Sequence, residues 1–136
     1  MKRKKQKSLS KLKKDAWDWC SKYIRLKYSK KGYVQCITCS CIKKIKEMQT
    51  GHYVSRSYLS TFFDEKNIHP QCYQCNICRK GNLDEYALWL ISTYGEGILE
   101  KLNKKKWEQV KYTRQDYENF IERYKSKIKR LKDDGV

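Results

Sequence analysis

The sequence predicts a small α+β fold, with a metal-pinned, β-forming centre held between an N-terminal helix and a C-terminal helical region. Three observations point there. Apolar residues recur at helical spacing near both ends of the 136-residue chain. Between those ends the helical period gives way to short β-forming pieces. That middle stretch also holds two Cys-x-x-Cys pairs. The length suits one domain, yet the purely apolar share is thin, because the 39% hydrophobic fraction includes 7 Cys and 11 Tyr. A chain this short needs support beyond apolar burial.

Residues 1–9 read as a basic flexible arm and residues 10–31 as a basic N-terminal helix. Leu12, Ala16, Trp19 and Tyr23 fall on one helical face, and Lys11, Lys14, Lys22 and Arg25 lie off it, free for phosphates. Ser29-Lys30-Lys31-Gly32 ends that helix. Residues 32–82 form the metal-bound module, with β-formers at Tyr33-Val34, Ile42 and Tyr53-Val54. Gly81 and Asn82 read as a helix C-cap and the next N-cap, with Glu85 completing a capping box. Residues 83–136 form the C-terminal helical region. Its last helix is capped by Thr113 with Asp116 at the third position, and carries the stripe Tyr117, Phe120, Ile121, Tyr124, Ile128 and Leu131.

The net charge is +17, and its placement is informative. Residues 1–31 carry net +11, residues 32–99 net +1 and residues 100–136 net +5. Cationic flanks around a nearly neutral centre suit a polyanion such as DNA or RNA. No run of 18 apolar residues predicts a membrane span. The basic start, Met1 to Lys7, is followed by no apolar stretch, so no secretory signal is expected.

The 7 cysteines cannot all pair within the chain. Cys36-x2-Cys39 and Cys72-x2-Cys75 can each present two thiolates on a tight knuckle, and together complete a tetrahedron around Zn²⁺. Cys41 could replace Cys39, and Cys78 could replace Cys75. Metal binding would supply folding free energy that the core lacks. Cys20 reads as a small buried hydrophobe.

Beside the zinc pairs stand Gly51-His52-Tyr53, Asn67-Ile68-His69-Pro70-Gln71-Cys72 and Cys75-Asn76. This order resembles the HNH nuclease pattern, which implies a treble-clef-like ββα-metal module. Phosphodiester hydrolysis needs a base to activate water and a cation to stabilise charge developing on phosphate. His52 suits the first role, with Asn67 fixing its orientation. Asn76 offers a hard oxygen to Mg²⁺ or Mn²⁺, and His69 is a further ligand or phosphate contact. Arg56 can grip a phosphate bidentately. Many HNH sites carry Asp or His immediately before the base, where this chain has Gly51. The remaining ligand is then His69, Asp64, Glu65 or the substrate phosphate.

A wider set of residues is similar to the phage NinG family, also called Rap, recombination proteins of lambdoid and related phages. The matching pieces are Tyr23-Ile24-Arg25-Leu26, Cys36-x2-Cys39, Gly51-His52-Tyr53 with Ser55-Arg56, Asn67-x-His69-x-Gln71-Cys72-x2-Cys75-Asn76, Gly81-Asn82 with Tyr86, and Lys111-Tyr112-Thr113 before a long helix. Gln49 stands where some members would have Asp. The resemblance covers most of residues 11–131. It implies a structure-specific endonuclease cutting branched DNA, such as Holliday junctions or displaced-strand joints, in the cytoplasm of a bacterial host. It places the site on His52, Asn67, His69 and Asn76, and zinc on Cys36, Cys39, Cys72 and Cys75. Branched DNA is the expected partner, with other phage recombination proteins beside it. Paired incision of a symmetric junction would favour a homodimer, for which the C-terminal helix is a candidate interface, although packing within the chain explains its stripe equally well. The rival reading is a non-catalytic zinc module that binds DNA or RNA.

Overall fold

The computed structural model describes residues 5–135. The first four residues of the basic arm, 1–4, lie outside the described residues. Helix α1 spans Leu9–Lys27 and starts where Ser8 Oγ accepts from the Lys11 amide at 3.1 Å, a cap that stabilises a helix by about 1 kcal/mol. Its fully buried stripe is Leu12, Ala16, Cys20 and Ile24. Trp19 and Tyr23, expected on that stripe, flank it and are half-buried.

A three-stranded antiparallel sheet follows, ordered β1 (Ser29–Lys30), β2 (Tyr33–Gln35) and β3 (Ile42–Lys44). Lys31 and Gly32 turn the first hairpin with φ of 51° and 84°, the left-handed pair that matches strand twist. The β2–β3 connection carries the first cysteine knuckle, closed by Cys36 N–H donating to Cys41 O at 2.8 Å and Ser40 N–H donating to Cys36 O at 2.9 Å.

A second, two-stranded sheet pairs β4 (Gln49–His52) with β5 (Ile68–Gln71), His52 opposite Ile68 and Gly51 opposite His69. The long loop between them holds the single-turn helix α2 (Leu59–Phe62). The strand expected at Tyr53-Val54 ends at His52 instead. Asn67 takes over there: its Oδ1 accepts from Val54 N–H at 2.7 Å and its Nδ2 donates to Val54 O at 3.1 Å, so a side chain replaces the ladder.

A π-helical turn, Gln74–Cys78, leads into α3 (Leu83–Tyr94), α4 (Ile98–Lys106) and α5 (Arg114–Asp133). Asn82 does not cap α3 with its side chain. It sits in the left-handed region (φ 45°), and its amide points to Cys75 Sγ at 3.6 Å. At α5 the capping box forms: Asp116 N–H donates to Thr113 Oγ1, and Thr113 N–H donates to the Asp116 carboxylate.

Among the described residues the core is split into three small clusters. The largest joins α1, α2, β5 and α5 through Leu12, Ala16, Ile24, Phe62, Ile68, Tyr117 and Tyr124. The second surrounds the cysteines with Val34 and Met48, and the third joins Val54 to α3 and α4. Helices α1 and α5 form the most extensive contact between elements, so the C-terminal stripe is spent on packing within the chain. Glu65 pins both helices, 2.7 Å from Lys127 and 3.7 Å from Lys27. No helix among the described residues is long and apolar enough to cross a membrane.

Candidate functional site

The cysteine cluster lies where the two sheets meet. The Sγ atoms of Cys36, Cys39, Cys41 and Cys72 all lie within 4.8 Å of one another. That set differs from the expected one: Cys41 is drawn in, because the Cys36–Cys41 backbone bond folds the knuckle back on itself. Cys75 is not in that set, but it is buried beside it, its N–H donating to Cys72 Sγ at 3.4 Å and its thiol within reach of Cys39. Cys78 is exposed.

The donor chemistry fits a metal such as zinc. Four sulfurs at this spacing match a tetrahedral thiolate shell. Burial opposes ionisation of Cys36, yet hydrogen bonds from the Thr38 side chain and nearby backbone amides bring its thiol down to about 6. Burial and the neighbouring cysteines push the Cys39 thiol up, and burial does the same to Cys41. A cluster able to hold one thiolate and resisting more is one that a divalent cation completes.

His52, at the end of β4, lies over Trp17 of α1 (centroids 4.6 Å) and beside Phe62 of α2 (4.9 Å). Its Nε2 is 2.9 Å from Phe62 O. A carbonyl only accepts, so Nε2 carries the proton and Nδ1 keeps a free lone pair. Burial lowers the imidazole to about 4, opposed by the Phe62 bond and reinforced by Arg56 and Lys13, so the ring is neutral at pH 7.

A cleft of about 340 Å³ opens beside it, lined by Thr50, His52, Arg56, Asn76, Lys80 and Leu83 among others. Asn76 arrives on the π-helical turn, and its Nδ2 donates to Gln49 Oε1 at 2.8 Å. That bond turns the amide so that Oδ1 faces Gly51, 3.0 Å from where a Cβ there would stand. The lining residues include two cations, Arg56 and Lys80, and no carboxylate. Arg56 also lies over the Trp17 and Phe62 rings at 5.6 Å and borders a second hollow with Lys13 and Lys14.

Asn67 and His69 are placed elsewhere. Asn67 is fully buried and also donates to Thr61 O, holding the loop that presents Phe62 O to His52. His69 is fully buried, with Nδ1 2.8 Å from Tyr86 Oη and Nε2 2.8 Å from Tyr94 Oη. Tyr86 donates its own proton to Gly51 O, so it accepts from His69 Nδ1–H, and Tyr94 donates to Nε2. Burial, with Lys27 nearby, lowers His69 to about 3. Both its ring nitrogens are used, which corrects the expectation that His69 ligates a catalytic ion or touches phosphate. Asp64 and Glu65, the other ligand candidates, are engaged by Lys105 at 2.8 Å and by Lys127.

The expected phosphate contacts divide as well. Lys11 and Lys14 face Asp15 and Asp18, both at 3.0 Å. Arg25 donates to Ser21 O and Ile45 O, tying α1 to the turn after β3. Lys22 and Arg25 line a separate basic hollow with Tyr33, Lys44 and Lys46. Trp17, Lys80 and Tyr86 are site residues that the sequence does not mark, and Cys41, which the sequence offers only in place of Cys39, joins Cys39 instead. Trp17 gives no signal beyond its helical position.

Fold and site together define a small α+β protein with helices flanking a small sheet and a cysteine cluster able to hold metal. The chain belongs to the NinG family: the family model described as Bacteriophage Lambda NinG protein matches residues 1–134. Among curated relatives, Protein ninG of Salmonella phage P22 is 29% identical over 99 residues, covering 72% of this chain and 48% of the relative. Protein ninG of Escherichia phage lambda is 30% identical over 93 residues, covering 63% and 45%. That of Escherichia phage 933W is 29% identical over 102 residues, covering 71% and 48%. The chain thus spans about half the length of the curated relatives it matches. No solved structure matches.

Proposed function

We propose that the protein is an HNH-like, divalent-metal-dependent endonuclease that cuts branched DNA, with a zinc-pinned treble-clef-like module as its scaffold. One observation carries the reading: His52 is locked by Phe62 O with Nδ1 free, in a cationic cleft that it shares with Asn76. A neutral imidazole with one nitrogen anchored and the other open is what a base taking a proton from water requires. Arg56 and Lys80 can neutralise the scissile phosphate and its neighbour. Asn67 acts as a positioning residue through the loop it clamps, and His69 as a buried strut.

For Mg²⁺ or Mn²⁺ the cleft offers neutral oxygen donors, the Asn76 amide and hydroxyls such as that of Ser55, and no carboxylate among its lining residues. The ion would therefore be held by neutral oxygens such as Asn76 Oδ1, by phosphate oxygens and by water, consistent with the reluctance of Mg²⁺ to shed its water. When bound it would stabilise charge developing on the phosphate.

The rival, a non-catalytic zinc module that binds nucleic acid, draws on the same carboxylate-free cleft. Labelled four-way junctions, flapped and linear duplexes are incubated with Mg²⁺ or Mn²⁺ and either the wild-type protein or His52→Ala. Incision of branched substrates by wild type alone supports the proposal. Binding without incision by either favours the rival. Equal incision by both removes His52 from the chemistry.

A further inference from the structure

We propose that Trp107, set against Tyr58 and Lys106, is a stacking platform for an unpaired nucleotide of the DNA substrate. The inference deepens the reading of the cleft as a nucleic-acid surface and rests on it.

Trp107 closes helix α4 at its C-cap and is 66% exposed, the highest exposure among the large hydrophobic side chains of the described residues. It is nevertheless held in place. Its ring meets Tyr58 edge-on at 5.5 Å and 82°. The Lys106 ammonium lies over both rings, 5.0 Å from Trp107 and 5.3 Å from Tyr58. Ser60 Oγ donates to Lys106 O at 3.1 Å, fastening this end of α4 to α2. A fixed indole beside an ammonium offers a base a π-face and its phosphate a counter-charge.

The platform also continues the cleft that holds His52. That cleft shares Tyr53, Ser55 and Leu83 with a groove of about 600 Å³ running to Tyr58 and Lys106. Tyr58 and Lys106 in turn border the hollow that Trp107 lines. Two carboxylates lie along this path: Glu100, already 3.2 Å from Lys104, and Glu108 beside Trp107. Arg56, Lys80 and Lys106 mark it at both ends. Bases stacked inside a duplex present no free face to an indole, so the occupant is a nucleotide out of its pair, as at a branch point or in a displaced strand.

The test reads binding, not cutting. Anisotropy of labelled oligo-dT and of a blunt duplex is measured for the zinc-loaded 136-residue chain without added Mg²⁺, using Trp107→Ala, Trp107→Phe and Lys106→Gln. Stacking of one base predicts about a tenfold loss of oligo-dT affinity in Trp107→Ala, less than a threefold loss in Trp107→Phe, and duplex affinity unchanged within twofold. The salt slope stays the same in Trp107→Ala and falls by about 0.7 in Lys106→Gln. Unchanged oligo-dT affinity in Trp107→Ala overturns the platform, as does an equal loss on duplex. If no junction is cut by any form of the protein but Trp107→Ala still loses oligo-dT selectively, the nuclease reading fails and the platform stands.

Discussion

Gly51 and Gln71 approach each other so closely across the β4–β5 hairpin that a Cβ at position 51 would collide with the Gln71 carboxamide. Gln71 is fully buried, its Nε2 donating to Thr38 Oγ1 at 3.1 Å and to Gly81 O at 2.8 Å. Its Oε1 has no hydrogen-bond partner among the described residues. The amide thus occupies the space that a side chain preceding His52 would need. Packing leaves no room for Asp or His immediately before His52, and the cleft has no carboxylate at that point.

Gly51→Ala is expected to destabilise the protein by roughly 1–3 kcal/mol, the usual cost of overpacking. Gly51→Asp is expected to cost more, since it adds a charge beside a buried amide. Urea denaturation midpoints measure both. An Ala variant as stable as wild type would mean that Gln71 moves aside freely.

His52→Ala is expected to lower junction cleavage by about 10²–10⁴-fold, the range for losing a general base, while DNA affinity stays within a few-fold. Single-turnover rates beside anisotropy separate the two. Asn67→Ala is expected to lower both cleavage and thermal midpoint, because its amide makes three backbone hydrogen bonds that hold the Phe62 loop.

Zinc content of single Cys→Ser variants distinguishes the observed cluster from the one read off the spacing. Cys36→Ser and Cys41→Ser are expected to lose zinc and fall in thermal midpoint, whereas Cys78→Ser keeps full occupancy. Cys75→Ser is the discriminating variant: retention of zinc there assigns the fourth position to Cys41, and loss returns it to Cys75. Chelation of the metal is expected to unfold much of the chain.

Both histidines titrate far below their ordinary value, His52 to about 4 and His69 to about 3, because both are buried. The unfolded chain takes up these protons near pH 6.5 and the folded one does not. Stability from these groups is therefore complete above pH 6.5 and declines as pH falls toward 4 and 3. At about 1.4 kcal/mol per pH unit, the loss amounts to a few kcal/mol for each histidine. Imidazole NMR titration of the zinc-loaded protein is expected to show no midpoint above pH 5 for either ring. A cleavage rate falling already at pH 6 would then report a group other than His52.

Salt dependence tests the electrostatic grip. Neutralising about six duplex phosphates gives a log–log slope near −5. Lys22→Gln and Lys44→Gln, on the basic hollow, are expected to reduce its magnitude by about 0.9 each. Lys11→Gln and Lys14→Gln should change it less, since their ammoniums face Asp15 and Asp18.

Local signals carried much of this molecule. The helical period set α1 and α5, and Thr113 with Asp116 fixed the start of α5, because caps and stripes depend on neighbours within a turn or two. The pairing of Cys36-x2-Cys39 with Cys72 was legible because thiolate spacing reflects knuckle geometry. What the sequence left open depends on contacts far apart in the chain. Which sulfurs share one centre was decided by the hairpin that folds Cys41 back. The separation of His69 from His52 was decided by Tyr86 and Tyr94, 17 and 25 residues away from His69. In β5, period-2 alternation gave no warning, because both faces of the strand are buried. The choice of which histidine meets solvent belongs to tertiary packing alone: α3 covers one imidazole, and α1 leaves an edge of the other open.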